Sequence, residues 1–349
     1  MKYGSIAPSK KGVKMKKLSI LLVCVLTLYA VMLTGCGKKQ TNTIRISEVT
    51  HSLFYAPLYV AINNGYFKDE GLEIELTNAG GSNTVMTSLI SNSADIGLMG
   101  PESVVYVINN GMTDVPTIFA QLTACDGSFL VGRTDESDTF DWDNLINKHI
   151  IAGRKGGMPA MTLKYILDQH GLLTGDELGE DCNVIVDTTI AFDQTTSAFL
   201  AGTGDYVTIF DPTASSLDMN ETAYIEAALG EEVSDIPYTC FVATANYMNN
   251  NSENIEKFMR ALKKGYDYLM KATDQQIIDC LKPSFSTPDD SLIVASVRNY
   301  IRIGAYASSF VLKESSWNRM LEIIDNAGEL KARVNHADAV NTTFASNVE

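Results

Sequence analysis

The sequence predicts an α/β protein of two units, each built from strands that alternate with helices. Two observations carry that expectation. Between Ile44 and Glu102 the order strand, turn, helix recurs three times, and it returns after about residue 133. The chain's 349 residues, 45% hydrophobic and 20% charged, are also enough to fill two cores.

Taken in order, Ile44-Arg45-Ile46 reads as the first strand. Tyr55 to Ile62 reads as a helix opened by Pro57 and stopped at Gly65. Glu73-Ile74-Glu75-Leu76 is a second strand that breaks at Gly80-Gly81. Behind it Ser82-Asn83 starts a helix with an apolar face of Val85, Met86, Leu89 and Ile90. Asp95 to Met99 is the third strand, and Gly100-Pro101-Glu102-Ser103 opens the third helix. Parallel strands joined by helices put such turns on one edge of the sheet. Helix N-termini there offer free N–H groups and positive dipole ends to a small molecule. Pro116 to Ala120 and Phe129-Leu130-Val131 read as further strands, the latter leaving the unit.

The second unit repeats the device. Trp142 to Asn147 reads as a short helix, and Ile150-Ile151-Ala152 as a strand. Gly153-Arg154-Lys155-Gly156-Gly157-Met158 is the turn, and Pro159 starts a helix that runs to His170. Val184-Ile185-Val186 and Tyr206 to Phe210 are strands, with a helix from Phe192 to Leu200 between them. Tyr238 to Ala243 reads as a strand returning to the first unit. Beyond Ser252 the chain is helical. Ile255, Phe258, Met259, Leu262, Tyr266 and Leu269 keep helical spacing, and further helices are expected over 288–304 and 315–327.

The N-terminus reads as an export signal. Six of the 27 basic residues and none of the 42 acidic ones lie in residues 1–35, where the lysines precede an apolar run from Leu18 to Leu33. The run is about long enough to span a membrane, but its ending, Leu33-Thr34-Gly35-Cys36, resembles the lipobox of bacterial lipoproteins. That resemblance implies cleavage before Cys36 and lipidation of its thiol, with residues 36–42 as a tether and Met15 as an alternative start. Cys125, Cys182, Cys240 and Cys280 have no C-x-x-C spacing and no histidine neighbour, so buried thiols are expected rather than zinc; no pairing is assignable. The formal charge of −15 and the scattered basic residues exclude a nucleic-acid partner.

Phe54 to Ala61, Gly65-Tyr66-Phe67-Lys68-Asp69-Glu70-Gly71-Leu72, Ala94-Asp95-Ile96-Gly97 and Ala201 to Tyr206 are similar to the sulfonate, nitrate and thiamine-precursor binding proteins of bacterial ABC importers. The resemblance runs from Ile44 to about Leu330. It implies a two-lobed periplasmic-binding-protein fold of type II, each lobe a mixed sheet flanked by helices. Lobe one would hold residues 43–131 and 237–349, and lobe two residues 132–236. The hinges would lie at Val131-Gly132 and Ile236-Pro237, with ligand in the cleft. It also implies permease and ATPase partners, a monomer held at the outer face of the cell membrane, and no cofactor. Gly153 to Thr162 and Phe210 to Ala214 look closest to the thiamine-pyrimidine branch. That branch's yeast-type synthase carries a cysteine-rich motif that this chain lacks.

The residues themselves nominate a binding site. Gly81, Ser82 and Asn83 offer N–H groups and a hydroxyl, or are an ordinary helix cap. Gly156, Gly157 and Met158 face them by the same logic. Glu102 and Asp211 each start a helix after a strand. They either accept hydrogen bonds from an amine or aminopyrimidine, or merely suit the helix dipole. Phe54, Tyr55 and Phe192 are candidates to sandwich a ring. Arg154 and Lys155 are read as solvent-exposed, and His51 as a turn residue. There is no Ser-His-Asp set, G-x-S-x-G elbow or metal-spaced His/Cys set. The expectation is therefore a receptor for a small polar ligand, best a pyrimidine-type vitamin precursor. The alternatives are a sulfonate, taurine or nitrate receptor, or a synthase-like enzyme.

Overall fold

Alternating strands and amphipathic helices assemble into two mixed sheets. The structure is a computed structural model and describes residues 42–349 except Thr113, together with residues 1, 3 and 4. The rest of the expected leader, Cys36 and the tether through Thr41 lie outside the described residues. The strands are β1 (Asn42–Glu48), β2 (Leu72–Asn78), β3 (Ile96–Met99), β4 (Thr117–Cys125), β5 (Ser128–Gly132), β6 (His149–Ile151), β7 (Thr174–Gly175), β8 (Val184–Asp187), β9 (Tyr206–Phe210), β10 (Tyr224–Ala228) and β11 (Ser234–Ala243). The helices used below are α1 (Ala56–Asn63), α2 (Ser82–Ile90), α3 (Glu102–Asn109), α4 (Met158–Gln169), α5 (Ser252–Leu269), α6 (Asp290–Arg302) and α7 (Glu314–Asn326). No helix among the described residues is long and apolar enough to cross a membrane.

The first sheet has the order β2-β1-β3-β11-β4 and the second β10-β5-β9-β6-β8-β7. In the first, β1 pairs in parallel with β2 and β3, while β11 runs antiparallel to β3 and β4. In the second, β6 pairs in parallel with β8 and β9, and β5 runs antiparallel to β9 and β10. Each sheet thus takes its antiparallel inner strand, β5 or β11, directly from a crossover. This placement corrects the expected boundaries. Phe129 to Val131 belongs to β5 in the second sheet, and Ile236-Pro237 lies inside β11. The chain changes sheets at residues 126–127 and 229–233, where no ladder holds the backbone. The helix expected over Trp142 to Asn147 is a 3-10 turn, Trp142–Leu145.

Close packing explains several glycines. A Cβ on Gly97 would sit 2.8 Å from Val85 Cγ1, so β3 lies directly against α2. At the crossovers, a Cβ on Gly230 would sit 2.4 Å from the Asp126 carbonyl oxygen. Asp126 itself accepts hydrogen bonds from the Ser128 N–H and hydroxyl at 2.7 and 2.6 Å, which fixes the turn into β5. On α5 the expected apolar face is buried, with Ile255, Phe258, Met259 and Leu262 fully enclosed. On α2, Val85, Met86 and Leu89 are buried but Ile90 is 47% exposed, because the inward stripe ends one residue earlier. Cys125, Cys182, Cys240 and Cys280 are buried free thiols.

His51, between β1 and α1, anchors the loop that leaves the first strand. Its Nδ1 lies 3.0 Å from Glu48 Oε1 and its Nε2 2.9 Å from the Ser284 carbonyl. Both partners are acceptors, so the imidazolium, with two N–H donors, is the form that satisfies both. The hydrogen bond to Glu48, above all, raises the His51 pKa against the cost of its partial burial. The other Glu48 oxygen accepts from the Tyr59 hydroxyl at 2.6 Å.

Two outcomes follow from this packing. A Cβ on Gly265 of α5 would sit 2.4 Å from the Pro57 carbonyl oxygen and 2.8 Å from the Ala61 Cβ of α1. Gly265→Ala improves helix propensity by about 1 kcal/mol. It also drives a methyl into backbone, which outweighs that gain at about 1–3 kcal/mol or more. Calorimetric melting is expected to show a lower Tm; an unchanged or higher Tm would contradict the close approach. Because the folded state raises the His51 pKa, its contribution is complete below about pH 6.5. It fades as pH rises through the folded-state value. Melts from about pH 6 to about pH 9 should show a loss in the wild type that is absent in His51→Gln.

Candidate functional site

The carboxyl ends of the parallel strands surround a chamber of ≈ 210 Å³. From the first sheet, the wall takes Val49, Thr50 and Ser52 after β1, Gly80 to Asn83 after β2, and Gly100 and Glu102 after β3. From the second it takes Ala152, Arg154, Gly157, Met158 and Pro159 after β6, Ala191 to Asp193 after β8, and Phe210 at the end of β9. Phe54, Tyr55, Tyr238 and Thr239 complete it. The turns are fixed locally. Gly80, with φ +74°, has its N–H bonded to the Asn78 side-chain oxygen at 3.1 Å, and the Ser82 hydroxyl accepts from the Gly100 N–H at 3.3 Å.

Much of the wall is aromatic and drawn from segments of both sheets. The Phe54 ring lies 5.5 Å from Phe210 and 5.8 Å from Tyr238, while Phe192 lies 5.8 Å from Phe210. These are tilted or edge contacts within the ordinary range for aromatic clusters. Behind them Tyr300 of α6 packs 5.0 Å from Phe54.

Glu102 is the charged group set deepest in this wall, at 2% exposure. Burial pushes its carboxyl up to about 7, against the downward pull of its own backbone N–H, the Arg154 charge and the Ser82 hydroxyl. Its Oε2 is buried without a hydrogen-bond partner among the described residues. A Cβ on Gly100 would come within 2.0 Å of that oxygen, so glycine is what lets the carboxylate fold back over the turn. A carboxyl poised near neutrality in an apolar wall can accept from a nitrogen donor or, when protonated, donate. The wall's other carboxylate, Asp193, is exposed at the rim.

Nine sequence candidates meet on the chamber wall: Phe54, Tyr55, Gly81, Ser82, Asn83, Glu102, Gly157, Met158 and Phe192. Two do not. The Asp211 carboxylate turns away, accepting from the Ser215 N–H at 2.8 Å and the Asn299 amide at 3.1 Å. Its main chain is held by the Tyr300 hydroxyl. It serves the start of its helix and ties the second sheet to α6. Gly156 stands just outside, its carbonyl accepting from the Tyr106 hydroxyl at 3.0 Å. Arg154 corrects the reading in the other direction. It is half-buried and lines the chamber, whereas Lys155 is exposed. His51 is not on the wall. Tyr238 had no sequence signal beyond a strand pattern, and Phe210 only its place in a stretch resembling the thiamine-pyrimidine branch, since register decides which face a strand residue occupies.

Comparison with known proteins agrees with this architecture. A family model described as NMT1/THI5 like matches residues 54–276. YtlA of Bacillus subtilis (strain 168), named as a binding protein, is 37% identical over 327 residues, covering 93% of this chain and 96% of its own. The 4-amino-5-hydroxymethyl-2-methylpyrimidine phosphate synthase of Aspergillus parasiticus is 24% identical over 67% of this chain and 69% of its own. The alkanesulfonate-binding protein SsuA from Xanthomonas axonopodis pv. citri, solved with MOPS bound, superposes with a TM-score of 0.68 at 16% identity. It covers 86% of this chain and 98% of that one. The shared fold is that of periplasmic binding proteins, and this chain belongs to the NMT1/THI5-like family.

Proposed function

We propose that the chain is the solute receptor of an ABC importer. It captures a small ligand in the chamber, closes over it and delivers it unchanged to a permease driven by ATPase subunits. The two sheets belong to lobes that swing about residues 126–127 and 229–233. The protein is exported and held at the outer face of the membrane through lipid on Cys36. Family membership and the name of the Bacillus relative support the receptor class. The chamber's position at facing strand ends supports it physically, since such crevices bind ligands.

The ligand proposed is a flat nitrogen heterocycle of the aminopyrimidine kind. The observation that carries this is the buried Glu102 carboxyl, unpartnered at Oε2, in an aromatic wall. The aromatic rings favour a flat ring, and Glu102 favours one that presents N–H donors. The aminopyrimidine phosphate named for the Aspergillus relative agrees with that chemistry. A free sulfonate or nitrate would meet the buried Glu102 carboxyl, with Arg154 the one cationic side chain on the chamber wall. An enzyme resembling that relative is the second reading, but the chamber wall carries no Cys, His or Lys to act as nucleophile or base.

Titration calorimetry with 4-amino-5-hydroxymethyl-2-methylpyrimidine is expected to show binding, and with taurine none. Tight taurine binding with no pyrimidine binding would overturn the choice of ligand. Glu102→Gln should weaken pyrimidine binding about 10- to 100-fold, the worth of a hydrogen bond to a charged group. The carboxylate is the better acceptor, and Glu102 loses its proton as pH rises through about 7. Wild-type affinity should therefore rise across that window. The Gln variant should show no such rise.

A further inference from the structure

We propose that the ligand of this chamber also carries an oxyanion of the phosphate type, and that a groove beside the chamber receives it. This rests on the chamber being the ligand site. The groove, ≈ 290 Å³, is lined by Arg154, Lys155 and Lys331 together with Tyr106, Asn110 and Glu329, among others.

One helix joins the two spaces. Glu102 opens α3 in the chamber wall, and Tyr106, Asn109 and Asn110 follow in the groove at helical spacing on the same face. At 1.5 Å per residue, Tyr106 lies about 6 Å and Asn110 about 12 Å further along the axis. One turn also serves both. Arg154 lines the chamber and the groove, while Gly157 faces the chamber and Gly156 the groove. A ligand anchored at Glu102 by its ring therefore has a cation within reach of its other end.

The charge is unusual for this molecule. Residues 42–349 hold 19 basic and 42 acidic side chains, yet three of the basic ones and a single acid line this groove. That acid, Glu329, is matched loosely with Lys155 at 3.6 Å. Neither Arg154 nor Lys331 has a carboxylate partner among the described residues. Lys331 donates to the Asn110 side-chain oxygen at 2.9 Å, and Arg154 only approaches the Lys155 carbonyl at 3.5 Å. Arg154 and Lys155 follow a strand of the second sheet, whereas Lys331 follows α7 and Asn110 caps the C-terminus of α3. Held together without an anion, these cations repel each other. An oxyanion between them replaces that repulsion with charge-assisted hydrogen bonds from both sides. It would thereby favour the arrangement in which the Tyr106 hydroxyl reaches the Gly156 carbonyl.

The test titrates the full chain with three probes: 4-amino-5-hydroxymethyl-2-methylpyrimidine, its phosphate monoester and inorganic phosphate. The ester is expected to bind about tenfold or more tightly than the alcohol. That ratio should fall toward one in Lys331→Gln and in Arg154→Gln. Lys271→Gln, at an exposed lysine outside both spaces, should keep it. Alcohol binding with no gain from the ester overturns the groove assignment and leaves the receptor reading standing. Phosphate binding that is lost in Lys331→Gln, with no binding of either ring compound, supports the groove as an anion site. The same result overturns both the heterocycle and the tethering of the anion to it. Failure of the ester and of phosphate alike overturns the inference.

Discussion

Parallel pairing is the constraint from which the rest of this molecule follows. A parallel neighbour can be reached only by a crossover, so each of the strands β1, β2, β3, β6 and β8 must hand the chain to a connection at its carboxyl end. The turns that open those connections collect on one edge of each sheet. Two short crossovers, packed so closely that Gly230 lies against the Asp126 carbonyl, set one edge opposite the other. The chamber is therefore a product of topology. No loop needs to be long to form it, and its walls come from residues that end strands or begin helices.

Within that frame, desolvation decides the chemistry. Glu102 sits in the first turn of α3, where the helix dipole favours its anion by about 0.3–1 kcal/mol, less than one pH unit's equivalent. Its carboxyl is nevertheless raised to about 7, so loss of water outweighs the dipole, Ser82 and Arg154 combined. Such a group is costly to the apo protein. A ligand donor that supplies the missing partner recovers that cost, which is how a receptor concentrates affinity in one contact. Asp211 shows the contrast. It too starts a helix after a strand, and burial also raises its pKa, but Ser215 and Asn299 already satisfy it. The two acids differ in whether their partners are internal.

The chamber and the basic groove differ in character along α3. The chamber is aromatic with one deep carboxyl, while the groove is polar and positive, with Arg154 at the boundary. The groove's cations come from separate segments, Arg154 and Lys155 after β6 and Lys331 after α7.

Much of this was legible in the chain, and the limits are instructive. Glycine and proline punctuation located the turns after β1, β2, β3 and β6, because φ > 0 and helix starts are local requirements. Those turns supplied eight of the nine candidate ligand residues found on the wall, the ninth, Phe192, following β8. Helical spacing on α5 marked its buried face for the same reason, since periodicity is local. The sequence by itself therefore determined the strand–turn–helix order and which loops carry the candidate chemistry. Tertiary structure alone decided that β5 joins the second sheet, that Asp211 turns inward to Asn299, that Tyr238 faces the chamber and that Arg154 reaches it. Each of these depends on which distant segment lies opposite, through ladder register or a partner some 88 residues away. Neither is encoded in the spacing of neighbours along the chain.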